Sequence, residues 1–589
     1  MSDKYADQFM DWLKEDGYTH CFFVGGGNVM HLLESASRRF RCVAVVHEVA
    51  AGIATEYFNE TNTGNERAFA LVTAGPGLTN IVTAVGGAFL ESRELLIIGG
   101  QAKTSDLSRG TVPQIGHQEI DGVAIVKPIT VASILADRRF DKSEVLRLTH
   151  RSRQSRKGPV FIEMCLDVSA MPPLEGQVRS LPTYVKPSGP SSSDLETVQN
   201  LWRNAKRPIL LLGGGIDRKR MSPSLKVLEE RRVPMATTWN GFDRIPYDYD
   251  LYCGRPNTYG MRWANILIQS SDLVIAVGTR LGIQQIGFAW DEFVANGKIV
   301  QVDIDNNELQ KGFPKIELGI QCDAVEFLES FVNGIDHQLA PEWRDFVKGI
   351  RDKLDIPDSA NVANGDFVEL HSFIRNFSEI CSSEDVIVPC SSGGTFNAVM
   401  QMFKHKRGQN ITTDKGLASM GYGLSGAIGA AFANPDKRVI LMEGDGGFAQ
   451  NLQELGTVAV NNLNLKIVLT SNKGYASIRT TQKSYFNGNY VGCDLETGLG
   501  LPEWEFIFQA YKIPVTRINA TNLDFKELKT KMAEAGPQGF IIELDPEQLF
   551  FPKVTSKVLD SGVMKTNPIH LMSPELNETL SAEFLKYVN

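Results

Sequence analysis

The sequence predicts an α/β protein of three doubly wound parallel-sheet domains. Three observations predict it. Short aliphatic runs end repeatedly in glycine and lead into helical stretches, the rhythm of parallel strands with functional loops at their C-terminal ends. A chain of 589 residues is too long for one hydrophobic core and suits three. Two polar stretches, 181–193 (rich in Pro and Ser) and the weaker 355–365, interrupt the rhythm where domains of that size would end.

In the first unit, 1–180, Cys21-Phe-Phe-Val24 runs into Gly25-Gly-Gly27 and Val43-Ala-Val-Val46 into His47-Glu48. Phe69-Ala-Leu-Val-Thr73 runs into Gly75-Pro-Gly77, and runs at 95–98 and 160–163 are expected to complete the sheet. The second unit, 194–345, carries Pro208-Ile-Leu-Leu-Leu212 before Gly213-Gly-Gly215, Leu273-Val-Ile-Ala-Val277 before Gly278-Thr-Arg280, and Ile299-Val-Gln-Val302 before Asp303-Ile-Asp305. The third, 362–550, has strand runs at 386–388, 437–442, 465–469 and 539–543. Residues 551–589 are Pro-punctuated and read as a tail or lid packed on the body.

Composition narrows the function classes. A net charge of −9 with no Lys/Arg block argues against nucleic-acid binding. The acidic opening residues do not resemble a signal peptide, and the aliphatic runs are far short of a membrane span. Eight scattered cysteines without a Cys-x-x-Cys pair read as reduced thiols of a cytoplasmic enzyme.

The sharpest signal lies between Glu443 and Tyr475. Asp445 and Asn472 stand 27 positions apart, each just past a run of apolar β-formers. In a βαβ unit adjacent parallel strands end on one edge, so the two oxygen ligands converge. A carboxylate plus an amide oxygen suits Mg²⁺, with phosphate oxygens filling the remaining positions. Gly444, Gly446 and Gly447 allow close backbone approach to a diphosphate.

This segment resembles the metal-diphosphate motif of thiamine diphosphate (ThDP) enzymes, and the likeness extends to about residue 550. The resemblance implies that the Gly474 carbonyl is a third metal ligand and that Tyr475 and Ile478 lie against the cofactor. Ser471 stands where the family usually has a first Asn, a position that does not bind the metal. Glu48 resembles the glutamate that hydrogen-bonds the aminopyrimidine ring and drives the proton transfer activating the cofactor. Gly75, Pro76 and Asn80 match the Gly-Pro-Gly-x-x-Asn turn beside that ring, and Gly27 lies nearby. Residues 414–421 match the segment that bends the cofactor, with Met420 as the wedge and Ala418 where relatives often have Gly. Ser391 is expected along the diphosphate. In the family the glutamate reaches the neighbouring subunit's cofactor, which implies a homodimer or tetramer.

Within the family the chain is most similar to the acetohydroxyacid synthase group of flavin-containing carboligases. Gly213, Gly214, Gly215, Gly278, Arg280, Asp303, Asp305 and Asp323 fall where that group holds FAD, here expected to be structural because carboligation involves no net redox change. Gln118 would face the cofactor beside His117, which replaces an aromatic residue. Two departures bear on the substrate. Gln284 stands where the group has a second Arg to grip the acceptor carboxylate, and Thr481 stands where it has Trp. These imply decarboxylation of pyruvate, or a similar donor, and acetyl transfer to a larger, uncharged carbonyl acceptor such as a keto-sugar. The same machinery also serves 2-keto acid decarboxylases and diketone C–C hydrolases, and a silent ThDP-fold regulatory subunit is the alternative from another class.

Overall fold

A computed structural model describes residues 3–175, 188–335, 340–558 and 564–588. Most of the expected linker at 181–193, up to residue 187, lies outside them.

Three wholly parallel sheets form. The first has the spatial order Arg41–Ala44, Tyr18–Phe23, Arg67–Val72, Leu95–Gln101, Pro159–Cys165, Ala132–Ala136. The last of these was not anticipated from the sequence. It is an edge strand, half-buried along most of its length, so it lacks the apolar run that marks the fully buried strands beside it. The third sheet repeats the same winding: Asn410–Ile411, Val386–Pro389, Val439–Gly444, Leu465–Ser471, Gln538–Glu543, Val515–Ile518. The middle sheet has five strands, with Leu273–Val277 at its centre.

In the first and third sheets the order reverses between the first and third strands in sequence. Such a switch point opens a crevice at the strand C-termini. Gly25–Gly27 and Gly75 follow the two switch-point strands of the first sheet, and Ser391 and Asp445 follow those of the third. Helix Glu48–Thr61 of the first domain packs on helix Tyr422–Ala433 of the third. The approach is close: a Cβ at Gly426 would lie 2.8 Å from the Tyr57 ring, and one at Gly429 2.0 Å from the Ala54 carbonyl. One continuous apolar core, with members from Phe22 to Ile541, joins these two domains.

The middle domain has its own core, which takes in Ile569 and Phe584 of the tail. Lys553–Val554 pairs antiparallel with Met572–Ser573. Asn265 Nδ2 donates to the Ile569 carbonyl at 2.8 Å. The described part of the tail is thus strapped to the middle domain. Among the described residues no helix is long and apolar enough to cross a membrane.

Candidate active site

The third domain assembles one half of the site. Strand Val439–Gly444 delivers Asp445 to the first turn of the short helix Asp445–Phe448, and strand Leu465–Ser471, its direct neighbour, delivers Asn472. Asp445 Oδ2 accepts from Ser471 Oγ at 3.1 Å, Asn472 N at 3.0 Å and Lys473 N at 2.9 Å, and Oδ1 accepts from Gly446 N at 2.8 Å. Burial pushes its carboxyl up to about 6 despite these donors. Among the described residues no cation pairs with it. Beside it, Asn472 Oδ1 is buried without a hydrogen-bond partner. An uncompensated carboxylate next to an orphaned amide oxygen fits a hard divalent cation. Among the described residues no cluster of three His, Cys, Asp or Glu offers an alternative.

The glycines here answer to protein packing. A Cβ at Gly446 would sit 2.5 Å from the Tyr475 ring and one at Gly447 3.0 Å from Glu443 Oε1, while Gly444 has ordinary room, 3.5 Å from Thr395 Oγ1. Gly474 bridges Asp494 with φ 143°, and Ile478 is 46% exposed. The helix expected between the two strands is broken into Asp445–Phe448, Leu452–Glu454 and Leu455–Val460. The 414–421 segment lies alongside. Ser391 Oγ donates to the Ser419 carbonyl, Asp414 Oδ1 accepts Ala418 N at 3.2 Å, and Asn451 Nδ2 donates to the Gly421 carbonyl at 2.7 Å. Met420 is half-buried between these anchors.

The first domain assembles the other half. Glu48 is the first residue of its helix and 8% exposed, and Asn80 Nδ2 donates to its Oε2 at 2.9 Å. Gly75 adopts φ 64° ahead of Pro76, and a Cβ there would strike the Gln118 carbonyl at 2.6 Å. Asn28 Nδ2 donates to the His117 carbonyl at 3.2 Å. Gly27 faces open space, so a side chain there would be accommodated. Glu48, Asn80, Gly75, Gln118 and His117 therefore share one sheet edge.

The two halves match separate descriptions. Residues 3–125 match "Thiamine pyrophosphate enzyme, N-terminal TPP binding domain", 195–331 its central domain, and 392–543 its C-terminal TPP binding domain. The chain belongs to the thiamine pyrophosphate enzyme family. The chain is similar to the acetolactate synthase isozyme 1 large subunit of Escherichia coli K12, with 27% identity over 93% of this chain and 95% of that one. It is also similar to the acetolactate synthase large subunit of Corynebacterium glutamicum, 29% identical over 80% and 76% of the two chains. A third relative is the chloroplastic acetolactate synthase of Arabidopsis thaliana, 27% identical over 91% and 80%. This is a ThDP-dependent carboligase of the acetolactate synthase type.

In this thiamine pyrophosphate enzyme several residues support the site through backbone contacts that the sequence motifs do not reveal. Glu119 accepts from Ile115 N at 2.8 Å, Gly116 N at 3.0 Å and Ser108 N, clamping the loop that carries His117 and Gln118. Burial pushes its carboxyl up, but these donors outweigh it and hold the group at about 2. Buried Arg479 donates to the Asn472 carbonyl at 2.7 Å and the Lys473 carbonyl at 3.3 Å. Glu91 of the first domain accepts Lys415 N at 2.6 Å as well as Gly416 N. Three site loops hold a non-glycine residue in the left-handed region: Gln118 (φ 58°), Ala418 (φ 56°) and Lys473 (φ 59°). At Ala418 this is a conformation that glycine adopts without strain.

The middle-domain residues lie at the ends of its central strands. A Cβ at Gly213 would meet the Gly278 carbonyl at 2.2 Å and one at Gly215 at 3.0 Å, so these loops close on each other, while Gly214 faces Asn240. Asp305 and Asp323 cap helices and pair with Arg156 at 2.9 Å and Arg220 at 3.4 Å. Among the described residues the Asp303 carboxyl accepts only from Asp305 N, and burial pushes it up to about 6. Arg280 has no carboxylate partner among the described residues. Its guanidinium would lie 3.2 Å from a Cβ at Gly416, beside the 414–421 segment. Gln284 and Thr481 are exposed, the Thr481 hydroxyl donating back to the Ser477 carbonyl at 3.0 Å.

Proposed function

We propose that this enzyme is an Mg²⁺-dependent carboligase that decarboxylates pyruvate and transfers the acetyl unit to an uncharged ketone, such as a keto-sugar. The observation that carries the acceptor assignment is the exposed, uncharged Gln284 where the acetohydroxyacid synthase group has a carboxylate-gripping Arg. Thr481 in place of Trp, and the open space at Gly27, support a roomier pocket. Mass analysis of products from labelled pyruvate with ketones, keto-sugars and 2-ketobutyrate tests it. Ketone adducts should dominate, and turnover of 2-ketobutyrate as fast as any ketone overturns the assignment.

Asp445, the Asn472 amide oxygen and the Gly474 carbonyl would hold the metal, and Ser391 with 444–447 would line the diphosphate. When bound, ThDP supplies the electron sink that lets a 2-keto acid lose carbon dioxide. Glu48 holds a proton for the aminopyrimidine ring, and Asn80 orients its carboxyl. Gln118 faces the reacting centre from the loop clamped by Glu119. Arg280, a cation without a carboxylate partner among the described residues, and the 213–215 and 278 backbone would hold a structural FAD, with Asp303 available to ribose hydroxyls. Flavin absorbance of the purified protein, unchanged by pyruvate, is the expected result.

The active unit in this reading is a dimer or tetramer whose site is completed by a neighbouring copy. Exposed Met30, Val46 and Ile115 beside one half-site, and Ile478 and Phe486 beside the other, support such a contact. Sedimentation at micromolar concentration tests it. All eight cysteines are unpaired, which suits the reducing cytoplasm.

A further inference from the structure

Val46 and His47 immediately precede Glu48, and their backbone N–H groups point to a carboxylate of the other cofactor-binding domain. Glu454 Oε1 accepts Val46 N at 3.1 Å and His47 N at 3.0 Å. Its Oε2 lies 3.3 Å from Val46 N and accepts Thr457 Oγ1 at 2.7 Å. Glu454 is fully buried, and these contacts span 408 positions of sequence. Among the described residues no lysine or arginine pairs with it; its acceptor capacity goes to the peptide ahead of Glu48 and to Thr457. The same short segment touches the third-domain half-site, because Asn451 Nδ2 donates to the Gly421 carbonyl next to Met420 and Glu454 N donates to the Asn451 carbonyl at 3.0 Å.

We propose that Glu454 is a positioning residue: by gripping the Val46–His47 peptides it sets where the Glu48 carboxyl stands and couples that setting to the segment beside Met420. The proposal rests on the reading of Glu48 as the proton-holding acid of the cofactor ring. An acceptor for peptide N–H groups at a helix start could serve stability alone. Position matters separately here, since a misplacement of about 1 Å in a reacting group costs on the order of 100-fold in rate.

The test is hydrogen–deuterium exchange at C2 of ThDP in the Mg²⁺-loaded enzyme, read by NMR after acid quench, alongside ThDP affinity by calorimetry. Glu454→Ala should slow exchange and kcat together by roughly 10- to 100-fold, with KM for pyruvate and ThDP affinity held within about threefold. Glu454→Gln keeps a carbonyl oxygen for both N–H donors and should recover exchange to within about threefold of wild type. Glu454→Asp, charged but one carbon shorter, should behave like the alanine variant and replaces it if that chain does not fold. Glu48→Gln, run in parallel, must abolish exchange; if it does not, the reading of Glu48 itself fails. If Glu48→Gln is silent while Glu454→Ala and Glu454→Asp exchange at the wild-type rate, the positioning role is overturned. Equal losses in Glu454→Gln and Glu454→Ala, or a fall in ThDP affinity matching the fall in exchange, also overturn it, because they assign Glu454 to domain cohesion.

Discussion

The contact between the two cofactor-binding domains is tight enough that a single methyl group should part them. Gly429→Ala would put a Cβ 2.0 Å from the Ala54 carbonyl oxygen and 2.7 Å from its carbon, where ordinary contact begins at 3.4 Å. The obstacle is backbone on both sides, so no side-chain rotation relieves it, and the helices must separate by about 1 Å. A gap of that order forfeits a quarter to a half of the dispersion attraction between the facing atoms, and overpacking of this kind costs roughly 3 kcal/mol. Alanine regains about 1 kcal/mol of helix propensity, leaving a net loss near 2 kcal/mol. Gly349→Ala is the control: it sits in helix Pro341–Leu354, and its Cβ meets nothing within 4 Å. There only the propensity term acts, and the chain should gain up to about 1 kcal/mol. Urea unfolding of the cofactor-free enzyme, followed by far-UV circular dichroism, reads both. The same Gly-to-Ala change should move the midpoint in opposite directions. A Gly429→Ala midpoint at or above wild type would refute the claim that this interface is packed to contact.

Glu163 provides a pH test. Burial pushes its carboxyl from 4.5 to about 8, Asp121 adds to the rise, and the Gln101 side chain with the Gly122 and Val123 N–H groups opposes it. The folded chain therefore keeps this proton longer than the unfolded chain, so stability falls as pH rises from 4.5 towards 8 and levels off outside that window. Glu163→Gln should flatten that slope and, at pH 8, raise stability by up to roughly 4 kcal/mol, seen as a midpoint gain absent at pH 5; equal gains at both values would contradict it. Asn472→Ala removes the orphaned oxygen, and the Mg²⁺ needed for half-maximal ThDP binding should rise at least about tenfold by calorimetric titration. An unchanged requirement would remove Asn472 from the metal site.

What could be read from the chain alone follows from where physics writes locally. Buried strands such as 95–101 and 439–444 open on unbroken apolar runs, Leu95 to Ile98 and Val439 to Met442, and announce themselves. The edge strands Ala132–Ala136 and Val515–Ile518 are mostly half-buried, and Asn410–Ile411 is two residues long, so none carries a periodic signature. At the site, Asp445 and Asn472 were legible because neighbouring strands in one βαβ unit fix their convergence. Glu454, Glu91 and Arg479 were not. Glu454 and Glu91 bind backbone groups hundreds of positions away, Arg479 takes carbonyls set by a turn, and a peptide N–H or carbonyl leaves no mark on residue type. The mutual closure of the 213–215 and 278 loops was hidden for the same reason: glycine reads alike whether the space beside it is meant for a ligand or for another loop.

The carboxylates that hold the site loops share one habit. Asp445, Glu119, Glu91 and Glu454 each accept two or more backbone N–H groups, and in none is a cation the principal partner. A charge-assisted hydrogen bond contributes about 1.5–3 kcal/mol, against roughly 1–2 kcal/mol for a non-glycine residue held left-handed. Each of the three strained loops has such an anchor: Glu119 for the one with Gln118, Glu91 for the one with Ala418, and Asp445 for the one with Lys473. The strain is thus sustained locally, loop by loop, and does not draw on the stability of the sheets. A lysine or arginine in the same role would hold a carboxylate through a flexible stem. A peptide N–H has no stem, so a carboxylate bonded to two of them fixes the chain direction as well as its place. That is the property a site needs when its two halves come from separate domains and must meet around one cofactor.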